Sequence, residues 1–188
     1  MSVAVIVAGG KSSRMGEDKA LLPFGGYTTL AEFQYRKLKP YFETVYLSTK
    51  ENKFDFHPPI IIDKDAIYSP LVAIITLFES LQAEEIFILS VDAPFVDKMV
   101  IEQILNHAQN TNDDAIIAQT PSGEHPLCGV YRRSILPLAK MQLAKENHKL
   151  KDLLSLGKTS FIGFALEDKF ANLNYPEEYH KAFKAAEA

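Results

Sequence analysis

The chain has 188 residues, 47% hydrophobic and 23% charged, which suits one soluble globular domain spanning 1–188. Twenty basic against twenty-four acidic residues give a formal net charge of -4, which argues against non-specific nucleic-acid binding, since that needs a basic face. A single cysteine, Cys128, excludes an intramolecular disulfide and a cysteine zinc site, and its apolar setting reads as a core thiol in a reducing compartment.

The apolar run Val3–Val7 is expected to form a first buried strand, and it feeds directly into V-A-G-G-K-S-S-R-M-G-E-D-K, Val7 to Lys19. Four properties that suit phosphate meet in this string. The strand delivers the chain, and Gly9 and Gly10 tolerate both a positive-φ turn and the close approach of an anion. Successive backbone N–H groups in such a loop form an anion-binding concavity. Arg14 adds a forked cation and Lys19 a flexible one. The competing reading is an exposed turn with solvated cations. Neither G-x-x-x-x-G-K-[ST] nor G-x-G-x-x-G is present, so a Walker ATPase and a standard dinucleotide fold are not indicated.

Thr29-x-x-Glu32 fits a capping box, opening a helix through about Lys39 that stops at Pro40. Strands are expected at Thr44–Ser48 and Pro59–Ile62, then a helix over Leu71–Leu81 with Pro70 in its first turn. Ile86–Val91 reads as a buried strand ended by Asp92-Ala93-Pro94. Helix Lys98–Gln109, strands Ala115–Gln119 and Leu127–Arg132, helices Ile135–Ala144 and Leu150–Leu156, a strand near Ser160–Ala165 and a last helix Glu177–Ala186 complete the chain. Short continuous apolar strands alternating with helices indicate an α/β fold, a three-layer α/β/α sandwich around a mostly parallel sheet. The 115–132 region could add an antiparallel strand. Met1-Ser2-Val3 lacks the features of a secretory leader, and the longest apolar runs, such as Leu71–Phe78, are too short to cross a bilayer. A cytoplasmic protein with neither membrane nor nucleic acid as partner is therefore expected.

Ligands of such folds sit beyond the carboxyl ends of the strands, where Gly9/Gly10, Ser48, Asp63, Asp92 and Asn172/Asn174 should converge. Asp92 ends the most apolar strand. A carboxylate there must be hydrogen-bonded, paired or metal-bound, and Mg²⁺ is favoured because Asp97 is better placed to cap the next helix. Asp63 reads either as a turn residue or as an acceptor for a ribose or base. Asn172/Asn174 read as caps of the last helix or as metal or phosphate contacts. The five histidines show no metal-ligand spacing, and His125, before Pro126, reads as structural. Lys145–Lys151 is a solvated basic face that could attract an anionic acceptor.

Those residues resemble the nucleotidyltransferases of the MobA type, the molybdenum cofactor guanylyltransferases, whose opening motif looks like L-A-G-G-x-S-x-R-M-G-x-D-K. Further matches are Ile62-Asp63, Ser69-Pro70-Leu71, Asp92-Ala93-Pro94-Phe95, His125-Pro126 and Asn172-Leu173-Asn174-Tyr175-Pro176-Glu177-Glu178. The resemblance implies a Rossmann-like fold of the nucleotide-diphospho-sugar transferase type. The implied activity transfers GMP from GTP to the phosphate of molybdopterin, with Mg²⁺ as cofactor and cofactor-biosynthesis proteins as possible partners. It also implies that Val7, Ala8, Gly9 and Gly10 contact guanine and phosphate through backbone groups, that Lys19 and Arg14 meet the phosphates, that Asp63 holds the nucleoside, and that Asp92 binds the metal. The chain departs from the family pattern where Ser69 and Ala73 replace glycines and where Ser48 stands in place of Asn. The alternatives are a cytidylyl- or sugar-phosphate nucleotidyltransferase, or a silent nucleotide- or pterin-binding module. Ala8-Gly9-Gly10, in place of A-A-G, favours guanine.

Overall fold

The computed structural model describes residues 3–9, 16–63 and 69–186. Seven strands form one sheet: β1 (Val3–Val7), β2 (Thr44–Thr49), β3 (Ile60–Ile62), β4 (Glu85–Ser90), β5 (Ala115–Thr120), β6 (Gly123–Arg132) and β7 (Thr159–Gly163). Their order is β3-β2-β1-β4-β6-β5-β7. Strands β3, β2, β1 and β4 run parallel, as do β5 and β7. β6 is antiparallel to both of its neighbours, so the expected hairpin excursion supplies an interior strand of the sheet.

Among the described residues six α-helices cover the two faces: α1 (Leu30–Leu38), α2 (Pro70–Ser80), α3 (Lys98–Gln109), α4 (Leu136–Leu143), α5 (Leu150–Leu156) and α6 (Pro176–Ala186). The period-2 alternation of β1 divides the core between the faces. Ala4, Ile6 and Ala8 pack with Leu30, Leu38, Val100 and Ile104 of α1 and α3, and with Tyr179 of α6. Val5 and Val7 pack with Leu71, Ile74 and Phe78 of α2 and with Leu153 of α5. This is the three-layer sandwich expected from the apolar runs. Cys128 lies in the core, where burial pushes its thiol up to about 12.

Local signals explain the element ends. The Thr29 hydroxyl accepts from the Glu32 N–H at 3.0 Å, half of a capping box, while the Glu32 carboxylate accepts instead from the Thr28 hydroxyl. Asp97 caps α3 by accepting from the Val100 N–H at 3.1 Å. Gly129 lets β5 and β6 close upon each other, since a Cβ there would sit 2.3 Å from the Ile116 carbonyl oxygen. Next to it the β5–β6 register shifts between Ile117 and Ala118, a bulge that the sequence pattern does not announce.

Candidate active site

The chain crosses to opposite sides of β1, towards β2 and towards β4, and the gap at this switch point is where open α/β sheets bind ligands. A cleft of about 470 Å³ opens there. Val7, Ala8 and Gly9 at the end of β1, Ser48 of β2, Asp63 just past β3, and Ser90 and Asp92 at the end of β4 all line it. Of the residues predicted to converge, Gly9, Ser48, Asp63 and Asp92 line the cleft; Asn174 reaches it only through Lys19, and Asn172 faces a neighbouring cavity instead. Gly10 and Arg14 lie outside the described residues.

Lys19 and Asp92 meet across 73 positions of sequence: the Lys19 Nζ lies 2.6 Å from Asp92 Oδ2, with each side chain 17% exposed. Lys19 opens a 3₁₀ turn, Lys19–Leu21, capped by Asp18, whose Oδ1 accepts from the Ala20 N–H at 3.1 Å. The other Asp18 oxygen pairs with Lys53. The second oxygen of Asp92, Oδ1, accepts from the Ser90 hydroxyl at 2.5 Å. Ser90 and Asp92 are two residues apart, the spacing that puts extended side chains on one side.

The segment before α6 closes the constellation. The Leu173 N–H donates to the Asp92 carbonyl at 2.9 Å, and Lys19 donates to the Leu173 carbonyl at 3.0 Å. The Asn174 Oδ1 stands 3.5 Å from the Lys19 Nζ. Glu178 ties the segment to the helix by accepting from the N–H groups of Asn174 and Tyr175.

On the β2–β3 side, Asp63 Oδ2 is 2.8 Å from the Lys50 Nζ. Lys50 and Lys53 both hold carboxylates of the cleft wall, and sequence reasoning passed over them. The sequence signal for Lys50 is its position, directly after β2 at the carboxyl end of the sheet. The backbone of β1 is constrained more tightly than the resemblance suggests. The Val7 carbonyl accepts from the Val91 N–H at 3.0 Å, and the Ala8 N–H donates to the Ser48 carbonyl at 2.9 Å. Any ligand contact by the Ala8 backbone therefore runs through its carbonyl. Gly9 does not adopt positive φ; that conformation occurs at Gly16. A Cβ on Gly9 would meet the described residues no closer than 3.6 Å, so their packing does not demand glycine there.

A second cavity, about 240 Å³, adjoins Asp92 on its other side and shares Ser90, Asp92 and Leu127 with the cleft. His125 forms part of its wall, stacked on Phe170 at 4.5 Å between ring centroids, with its Nε2 3.0 Å from the Thr120 Oγ1. Burial holds its pKa below the usual imidazole value. The structural role expected for His125 accounts for these contacts.

Among the described residues, no three His, Cys, Asp or Glu side chains gather as a metal cluster. The donor set at Asp92 still suits a hard cation. A single carboxylate completed by phosphate oxygens and water is the common Mg²⁺ arrangement, and the Lys19 ammonium already places a positive charge on Oδ2. No helix among the described residues is long and apolar enough to cross a membrane.

The family model of the MobA-like NTP transferase domain matches residues 4–161. The molybdenum cofactor guanylyltransferase of Campylobacter jejuni subsp. doylei is 41% identical over 179 residues, covering 94% of this chain and 93% of its own. That of Helicobacter pylori strain G27 is 33% identical over 184 residues, covering 95% and 90%. Among solved structures, the molybdopterin-guanine dinucleotide biosynthesis protein A of Archaeoglobus fulgidus superposes with a TM-score of 0.83 over 100% of this chain and 99% of its own, at 19% identity. That likeness speaks for the fold.

Proposed function

The chain belongs to the MobA-like NTP transferase family, and on that premise we propose that it transfers GMP from GTP to the terminal phosphate of molybdopterin. An oxygen of the acceptor phosphate bonds to the α-phosphorus, the bond from the α-phosphorus to the β-bridging oxygen breaks, and pyrophosphate leaves with that electron pair. The products are pyrophosphate and the guanine dinucleotide form of the cofactor. The observation that carries this reading is the meeting of Lys19 and Asp92, 2.6 Å apart, at the mouth of the cleft. It puts a mobile cation and an acidic ligand on one locus at the switch point.

Transfer of this kind rests on positioning and charge neutralisation rather than on a covalent side-chain intermediate. Asp92 is the residue suited to hold Mg²⁺, which when bound neutralises phosphate charge and polarises the reacting phosphorus. Lys19 stabilises the negative charge gathering on the departing pyrophosphate, and Arg14, by the resemblance, does the same. The Asp63 carboxylate, steadied by Lys50, accepts a hydrogen bond from the nucleoside. The acceptor phosphate has room to approach from the second cavity, on the far side of Asp92 from the cleft.

The test is pyrophosphate release by the purified protein with Mg²⁺ and molybdopterin. Release with GTP that CTP neither supports nor competes away is the expected result. Preference for CTP would transfer the reading to the cytidylyl relatives, and binding of GTP without turnover would point to the silent module.

Gly9 offers a sharper check on where the nucleotide lies. Among the described residues a Cβ there makes only ordinary van der Waals contact, with the Thr49 Cα at 3.6 Å, so Gly9→Ala should change stability by less than about 0.5 kcal/mol, as substitutions away from special features do. The added methyl narrows the cleft that Gly9 lines. KM for GTP should rise about tenfold, roughly 1.4 kcal/mol of lost binding. An unchanged KM would move the nucleotide away from the end of β1.

A further inference from the structure

The apolar stripe of α1 carries one polar side chain. Leu30, Ala31, Gln34 and Leu38 are its buried positions, and Gln34 is fully inaccessible. Its Oε1 has no hydrogen-bond partner among the described residues. A half-satisfied amide on a core stripe is unfavourable, because an unpaired buried polar atom keeps its desolvation penalty. Local conflicts of this kind occur where function needs them.

The donor end of the same amide explains its presence. Gln34 Nε2 donates to the Ser90 carbonyl at 3.2 Å and to the Val91 carbonyl at 3.1 Å. One helical turn on, the Lys37 Nζ donates to the Pro94 carbonyl at 2.9 Å. Asp92 lies between these two anchors. The remaining carbonyls of the turn are that of Asp92, tied to the Leu173 N–H, and that of Ala93, which accepts from the Val96 N–H at 3.4 Å. The Val91 N–H still bonds the Val7 carbonyl of β1 at 3.0 Å, but beyond it the turn leaves the sheet, so links to neighbouring layers help keep the carboxylate in place.

We propose that Gln34 and Lys37 are positioning residues for Asp92, holding from α1 both sides of the turn that carries the carboxylate. They touch neither cleft nor substrate and act through the backbone of residues 90–94. The inference rests on the reading of Asp92 as the cation-holding residue, because its consequence is felt when Lys19 releases that carboxylate to a phosphate-bound cation. Without the anchors, the backbone of the turn keeps its bonds to the Val7 carbonyl and the Leu173 N–H, and the carboxylate released by Lys19 is left to the Ser90 hydroxyl alone.

The test compares Gln34→Met and Lys37→Met with a matched control, Gln142→Met. Gln142 is equally buried, also has an unpartnered Oε1, and donates only to the Lys149 carbonyl at 2.8 Å, on α4 in the opposite helix layer. Hydrogen exchange of the Val91–Val96 amides should quicken about tenfold or more in Gln34→Met and Lys37→Met, and stay at the wild-type rate in Gln142→Met. Mn²⁺ binding in the presence of GTP, read by electron paramagnetic resonance, should weaken about tenfold in the α1 variants alone. In turnover, kcat should fall about tenfold, while KM for GTP at saturating Mg²⁺ stays within twofold. Wild-type exchange and Mn²⁺ affinity in both α1 variants, or the same changes in Gln142→Met, would overturn the proposal. If Gln34→Met does not fold, Lys37→Met decides by the same readouts. A wild-type protein that binds Mn²⁺ with GTP yet transfers no nucleotide defeats the guanylyl reading instead, and the exchange and Mn²⁺ measurements still decide the positioning role.

Discussion

Replacing Asp92 with Ala is expected to reduce pyrophosphate release at least about 10³-fold, an effect of about 4 kcal/mol on the activation barrier. Loss of one preorganised group that stabilises transition-state charge typically costs about 10²–10³ in turnover. Asp92 belongs at or beyond the upper end, because on the proposed reading its removal takes away a charge partner and the seat of the cation together. The fold should survive. Asp92 and Lys19 both line the cleft, where water can solvate the ammonium left behind. Lys19 also keeps its bond to the Leu173 carbonyl. Asp92→Asn separates charge from shape: the amide oxygen can still accept from Lys19 or Ser90, yet the negative charge is gone, so turnover should remain as low as in Asp92→Ala. The checks are steady-state pyrophosphate release and a thermal melt of each variant. Turnover within tenfold of wild type would remove Asp92 from the cation site.

Why was so much of this legible in the residues? The strands were readable because buried parallel strands are continuous apolar runs, and Val3–Val7 and Ile86–Leu89 leave no other reading. Helix starts were readable where a capping side chain announces them, as at Thr29 and Asp97. Once β1 to β4 were placed, the convergence of Ser48, Asp63 and Asp92 followed from the parallel arrangement alone. Other features depend on three-dimensional pairing and have no local signature. The interior place of β6 and the bulge at Ile117/Ala118 are set by which strands meet. The Lys50–Asp63 pair needs the register Thr49↔Ile62 before the two residues can be seen as neighbours. Gln34 looks like an imperfection in an amphipathic helix until the carbonyls of Ser90 and Val91 are brought against it. Gly9 shows how a correct location can carry an incomplete reason: it lines the cleft as expected, but without the positive φ that a glycine there suggests.

Lys19 should yield two effects of opposite sign. In the structure its ammonium is shared between Asp92 Oδ2, the Leu173 carbonyl and Asn174 Oδ1, so it occupies an oxygen that the proposed cation would take. With a triphosphate in the cleft, the same flexible chain has a better-charged partner within reach, and its transfer to the phosphates frees Oδ2. For Lys19→Ala, kcat/KM should fall about 10²-fold, near 2.7 kcal/mol, because charge developing on pyrophosphate loses its nearest compact cation. Mn²⁺ binding without nucleotide should instead tighten several-fold, because the competing ammonium is gone. Lys19→Arg tests whether charge alone suffices. A planar guanidinium is larger and directional where an ammonium is compact and rotates freely, so most of the loss should persist. Turnover and nucleotide-free Mn²⁺ binding, measured on one preparation, decide the matter. If both fall together, Lys19 shapes the site without guarding the carboxylate; if binding tightens while turnover collapses, the ammonium holds the cation's place until the nucleotide arrives.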